Sequence, residues 1–76
     1  MRLLPLQSSQ IVGLAYEDDT LYVLFNNGSW YKYDDVPEHI VLQVILAESQ
    51  GKMFDQKIKK GNYPYEKLDY EPDVTV

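Results

Sequence analysis

Two runs of alternating apolar and polar character, Thr20 to Phe25 and Ser29 to Tyr33, flank Asn26-Asn27-Gly28. Asn-Gly between such runs is the strongest short-range signal for a β-hairpin. Two turns fit. A two-residue type I′ turn at Asn27-Gly28 sets Phe25 opposite Trp30 and puts Tyr31 and Tyr33 on the face of Tyr22 and Leu24. A three-residue loop, a type I turn closed by a G1 bulge with Gly28 in the left-handed region, sets Phe25 opposite Ser29 instead. Leu21, Val23, Phe25, Tyr31 and Tyr33 then share one face, and Tyr22, Leu24, Trp30 and Lys32 the other. The three-residue loop is favoured on burial cost, since it gathers the more uniformly apolar set on one side and leaves Lys32 beside an amphipathic Trp and Tyr.

Upstream, the pattern from Gln10 to Glu17 predicts a first strand in which Val12, Leu14 and Tyr16 point one way, with Gly13 marking a bulge or a close approach. Glu17-Asp18-Asp19-Thr20 reads as a tight turn into the hairpin. The result is a three-stranded antiparallel meander over residues 10–17, 20–25 and 29–33. Downstream the apolar period lengthens. Pro37 and its acidic neighbours Asp34, Asp35 and Glu38 open a helix, because proline suits the first helical position and carboxylates complement the dipole there. Ile40, Val44 and Ala47 form its buried stripe, flanked by Val41 and Ile45, and the helix is expected to stop near Glu48 to Gln50. Leu42 and Leu46 lie off that stripe and call for cover from the C-terminal elements or from another subunit.

Ser49 suits the N-cap of a second, shorter helix reaching Lys60, with Phe54 and Ile58 as its i, i+4 apolar pair. Gly51 is assigned to a tight junction between the helices. Gly61-Asn62 ends the helix, and Tyr63-Pro64-Tyr65 reads as extended. The predicted fold class is therefore α+β: a three-stranded antiparallel meander packed against a long helix, followed by a short second helix and an extended C-terminal segment. Residues 1–8 form a lead-in, 9–65 the domain and 66–76 an acidic tail that is expected to fray.

Length and charge narrow what such a domain can do. A chain of 76 residues is one domain, of a size that buries only about 60% of the surface its unfolded form exposes. Charged residues make up 25% and hydrophobic ones 45%, which is globular composition. With no cysteine, a disulfide framework, a thiolate zinc site and a cysteine nucleophile are all excluded. The net charge of −5 and pI near 4.5 have the wrong sign for binding nucleic acid or anionic lipid over the whole surface. No apolar run has the length of a membrane span, and a cytoplasmic location is expected.

The ordered set of features resembles the KTSC domain: a strand ending in Tyr16, then Leu21-x-Val23-x-Phe25-x-x-Gly28, Tyr31-x-Tyr33, Val36-Pro37, Ala47-x-Ser49-x-Gly51, Phe54 and Ile58. The resemblance spans roughly residues 8 to 65, and its distinctive part is the central Tyr-x-Tyr followed by Val-Pro. It implies a family found at the C-terminus of some lysyl-tRNA synthetases and as small free-standing proteins of bacteria and their phages. The family's function is unassigned, with RNA binding only proposed. This chain resembles the free-standing kind.

Catalysis has little support in the sequence. His39 is the only histidine, and its neighbour Glu38 points about 100° away on a helix. No serine stands at a nucleophile elbow, and no glycine-rich phosphate loop is present. Asp18-Asp19 and Asp34-Asp35 lack the ligand spacing of a calcium or magnesium loop, so no metal or cofactor is expected. The expected function is a non-catalytic protein interaction module, self-associating as a homo-oligomer, whose exposed recognition face is Tyr22, Leu24, Trp30 and Lys32. The alternative is binding of RNA or single-stranded nucleic acid through the sheet aromatics Tyr31 and Tyr33 and the cluster Lys52, Lys57, Lys59 and Lys60. Those four lysines against Asp55 give residues 50–61 a local charge of +3 in a chain of −5.

Overall fold

The computed structural model describes residues 1–75; Val76, the last residue of the predicted acidic tail, lies outside the described residues. The elements in order are β1 (Leu4–Pro5), β2 (Ile11–Glu17), β3 (Thr20–Phe25), β4 (Trp30–Tyr33), α1 (Glu38–Ile45), α2 (Gln50–Phe54), a π-helical turn over Asp55–Lys59, and β5 (Tyr65–Lys67). The strands form one antiparallel sheet in the order β1-β2-β3-β4-β5. The α+β class holds. The three-stranded meander is its centre, and a short strand is added at each edge.

The hairpin register follows the three-residue loop. Leu24 pairs with Trp30 and Val23 with Tyr31, the Phe25 N–H donates to the Ser29 carbonyl at 2.9 Å, and Gly28 takes φ 87°. Asp18 and Asp19, with φ of 52° and 61°, make the turn before it. Both are left-handed, which is the requirement of a type I′ turn and one aspartate tolerates.

In β2 the register shifts between Ile11 and Gly13. That bulge inserts Val12 as an extra residue, so Ile11, Leu14 and Tyr16 take the core side and Val12, expected there with Leu14, is exposed. Gly13 serves both of its predicted purposes. It lies in the bulge, and a Cβ built on it would come within 2.7 Å of the Leu4 carbonyl on β1.

The core lies between one sheet face and the helices. Ile11, Leu14, Leu21, Val23 and Tyr33 from the strands meet Val41 and Val44 of α1, Phe54 of α2 and Ile58 of the π-helical turn. Val36, fully buried just before α1, is tied to the turn between β2 and β3: its N–H donates to the Asp19 carbonyl at 2.9 Å, and its carbonyl accepts from the Tyr16 hydroxyl at 2.6 Å. The chain is thereby fixed as it enters α1.

The first helix is shorter than predicted. It ends at Ile45, where the Gln50 side chain donates to the Ile45 carbonyl at 2.7 Å. The same side chain accepts from the Gln7 N–H at 2.7 Å, which pins the N-terminal segment to the start of α2. Gly51 faces that segment and not α1, since a Cβ there would lie 3.0 Å from the Ser8 hydroxyl. Pro37 is the residue before the first helical turn, with extended φ −66° and ψ 148°. Asn62, at φ 61°, closes the second helical stretch as expected.

The second sheet face carries its own small cluster. Leu3, Trp30 and Leu68 are buried there, with Tyr22, Leu24 and Val74 packed around them. The two ends of the chain meet over it: the Leu3 N–H donates to the Thr75 carbonyl and the Thr75 N–H to the Met1 carbonyl, both at 2.9 Å. Of residues 66–75, expected to fray, Glu66 and Lys67 pair in β5, and Leu68, Val74 and Thr75 are held to this face.

Candidate functional site

The helices do not cover the whole core side of the sheet. Between β3, β4, β5 and the π-helical turn, a cleft of about 600 Å³ opens, lined by Phe25, Tyr31, Tyr33, Tyr65, Lys59, Gln10, Asn26 and Asn27. Cross-strand pairing builds it. Val23 pairs with Tyr31 and Tyr31 with Lys67, while Leu21 pairs with Tyr33 and Tyr33 with Tyr65, so the period-2 alternation sends all three tyrosines to one face.

Five rings form a closed circuit around the floor. Phe25 meets Tyr31 edge-on at 5.3 Å between centroids, Tyr31 meets Tyr65 at 6.5 Å, Tyr65 meets Tyr33 at 5.6 Å, Tyr33 meets Phe54 at 5.9 Å, and Phe54 returns to Phe25 at 6.0 Å. The three contacts Phe25–Tyr31, Phe25–Phe54 and Tyr33–Phe54 are edge-to-face, an arrangement that exploits the ring quadrupole, and the two made by Tyr65 are tilted by 35° and 30°. Phe54 is fully buried behind the floor, whereas Tyr65 is 66% exposed at the rim. Burial pushes the Tyr33 phenol above its ordinary pKa, helped by Tyr31, Tyr65 and Asp55 nearby. Tyr33 therefore stays neutral well past physiological pH.

Polar groups edge the aromatic floor. The Lys59 Nζ stands 5.7 Å from the Phe25 ring centroid and 3.9 Å from the Asp55 carboxylate. Asn26 donates from its side chain to the Ser9 carbonyl, and the Asn27 carboxamide oxygen accepts from the Ser29 N–H at 2.9 Å. Those two bonds occupy one end of each amide and leave the other end free to bond. Such a site suits a planar or apolar group with hydrogen-bonding edges and an adjacent negative charge.

The face expected to be exposed is covered instead. Trp30 is only 6% exposed, beneath Leu3 and Leu68, and Tyr22 and Leu24 are half-buried beside it. Lys32 is held between Asp34 at 3.6 Å and Glu66 at 3.4 Å, which raise its pKa, Asp34 most strongly. The reason lies in the termini: the sheet face is apolar enough to recruit them, and Leu3 and Leu68 are brought together only by the fold.

The lysine cluster is divided. Lys59 lines the aromatic cleft with Tyr31 and Tyr33, but Lys52 lines a separate depression with Gln7, Ser8, Ser9 and Ser49. Lys57 and Lys60 are exposed and line neither. The structure adds Phe25, Tyr65, Gln10, Asn26 and Asn27 to the site. Tyr65 was legible only as an extended residue after Pro64; its register against Tyr33 depends on β5 pairing with β4.

His39 is exposed in the first turn of α1. Among the described residues no helix is long and apolar enough to cross a membrane.

Comparison with known proteins shows a single consistent likeness. A family model described as the KTSC domain matches residues 7–63. An uncharacterized protein from Stutzerimonas stutzeri (strain A1501) is 37% identical over 71 residues, which cover 91% of this chain and all of that one. The crystal structure of a KTSC domain protein from Yersinia pestis superposes with a TM-score of 0.79 at 32% identity, covering 88% of this chain and 96% of that one.

Proposed function

The chain belongs to the KTSC domain family, and we propose that this member is a non-catalytic interaction module that takes a segment of a partner protein into the aromatic cleft. The observation that carries the reading is the closed circuit of Phe25, Tyr31, Tyr65, Tyr33 and Phe54. It supplies rigid aromatic contact area at a concave rim, the kind of surface that anchors partner side chains. The recognition residues of this proposal are Tyr31, Tyr65, Phe25 and Lys59. Tyr22, Leu24 and Trp30 serve to fasten the chain termini.

Site-specific crosslinking tests this. A photoreactive phenylalanine replacing Tyr65 should capture a defined protein from cells, and Tyr31→Ala in the same chain should abolish capture. The same probe replacing His39, exposed on α1, supplies the background. Equal capture from both positions would remove the cleft from consideration.

A second reading rests on Tyr31, Tyr33 and Lys59 lying in one cleft, which would let single-stranded nucleic acid stack its bases and set a phosphate at Lys59. Against it stand the net charge of −5 and the separation of Lys52 from the cleft. Oligonucleotide binding that falls steeply with salt and weakens on Lys59→Ala would favour it.

A further inference from the structure

The rim of the cleft is also an open sheet edge. Asp34 donates from its N–H to the Pro64 carbonyl at 2.8 Å, and the Leu68 N–H donates to the Trp30 carbonyl at 2.9 Å. In an antiparallel ladder the residues facing the neighbouring strand alternate. Pro64, Glu66 and Leu68 therefore direct their backbone groups to β4, and Tyr65 and Lys67 direct theirs away from the sheet. Both are exposed, and β5 is the last strand in the order.

The opposite edge differs. In β1 Pro5 has no N–H to offer, and Leu3, two residues before it, is already bonded to Thr75. Proline of this kind blunts an edge against pairing. No proline interrupts Tyr65–Lys67. The side chains of the two residues whose backbone is free lie on the cleft face, since Tyr65 pairs with Tyr33 and Lys67 with Tyr31.

Charge narrows what would fit. The cleft lining holds Lys59 and no carboxylate, with Asp55 beside Lys59 at 3.9 Å; Lys67, on the Tyr31 side by its pairing, also borders a neighbouring depression with Asp69 and Glu71. In a chain of net charge −5 this edges the aromatic floor with two lysines. It complements an acidic segment and disfavours a basic one.

We infer that the partner segment is extended and acidic, carries an aromatic residue, and adds to the outer edge of β5 as a sixth strand, its ring packing on Tyr65 and the cleft behind it and its carboxylates facing Lys59 and Lys67. This rests on the cleft being the partner site proposed above, and it adds the mode and the chemistry. Main-chain bonds to Tyr65 and Lys67 supply binding, and the tyrosine-lined cleft selects the ring, the division of labour usual in strand addition. Because β5 is three residues long, the recognised core is short.

Four blocked pentapeptides test it by titration against the full chain. The parent is Glu-Val-Tyr-Val-Glu; one version has both glutamates replaced by lysine; two are N-methylated, at the valines or at the tyrosine. The parent should bind and slow hydrogen exchange at the Tyr65 and Lys67 amides. The lysine version should be at least about tenfold weaker. The tyrosine-methylated version should be weaker by up to about tenfold, the effect of one lost main-chain bond, and the valine-methylated version should bind like the parent, because a ring on the cleft face turns the tyrosine N–H toward β5 and the valine N–H groups away from it. Lys67→Pro should weaken parent binding by at least about tenfold with circular dichroism unchanged, because the lost N–H does not serve β4.

Equal binding by the parent and both N-methylated peptides would overturn strand addition while leaving the cleft as a partner site. Equal binding by the lysine version would overturn the acidic partner. Failure of every peptide to bind would overturn the inference altogether, and crosslinking at Tyr65 would still report on the cleft separately.

Discussion

Replacing Trp30 by alanine takes the largest ring out of the cluster that fastens both ends of the chain to the sheet. Trp30 is 6% exposed and packs with Leu3 and Leu68, with Tyr22, Leu24 and Val74 around it. Truncating a buried tryptophan costs about 3–5 kcal/mol in lost burial and cavity formation. A domain of 76 residues has a total stability of about 4–11 kcal/mol at 0.05–0.15 kcal/mol per residue. The single change therefore removes between about a quarter and all of it. Urea unfolding followed by far-UV circular dichroism is the assay, since the fluorophore itself is deleted. With a slope of about 1 kcal/mol per M for a chain this small, the midpoint should fall by about 3 M or more, and hydrogen exchange at the Leu3, Leu68 and Thr75 amides should accelerate with it. Trp30→Phe should lose clearly less. A Trp30→Ala midpoint within about 0.5 M of wild type, below the smallest effect burial allows, would show that the face is open and would return Trp30 to the surface as a recognition residue.

Tyr16→Phe should cost about 1–2 kcal/mol at neutral pH, because the fully buried Val36 loses the donor to its carbonyl. The Tyr16 phenol is raised above its ordinary pKa by burial first, then by Asp19 and Glu38. The folded state thus prefers it neutral: this stability is fully present below about pH 10 and is lost as pH rises through the folded value above it. Alkaline unfolding should accordingly be shallower in Tyr16→Phe, with Tyr33 supplying the remaining slope in the same direction; an unchanged slope would exclude Tyr16 as a contributor. Leu42 and Leu46, an i, i+4 pair at the end of α1 that is 46% and 80% exposed, are the surface we propose for the expected self-association. Sedimentation equilibrium should show concentration-dependent dimers that Leu46→Glu abolishes, and a wild-type chain monomeric at high concentration would refute it.

Features set by neighbouring residues were legible from the sequence. The hairpin register needed only Gly28 at positive φ and the cost of burying Lys32, and both are local quantities. The turn at Asp18-Asp19, the start of α1 behind Pro37 and the end of the second helical stretch at Asn62 are of the same kind, since each is fixed by the backbone preference of one or two residues. The buried pair Phe54 and Ile58 followed from helical spacing alone.

What the tertiary structure decided are matters of which distant segments meet. Val12 is apolar and in phase with Leu14, yet it faces solvent because Gly13 packs against Leu4 and forces the bulge. The α1 pattern continues to Ala47, but the helix stops at Ile45 where Gln50 takes up the carbonyl. Trp30 is amphipathic and stood at the end of a strand, so exposure and burial were both open to it; Leu3 and Leu68 closed the question from opposite ends of the chain. Tyr65 likewise joined Tyr31 and Tyr33 only through the pairing of β5 with β4. Local preferences determine which face each side chain takes on its own element, while long-range pairing determines whether that face is covered, and for this protein that is the difference between its second core and its candidate site.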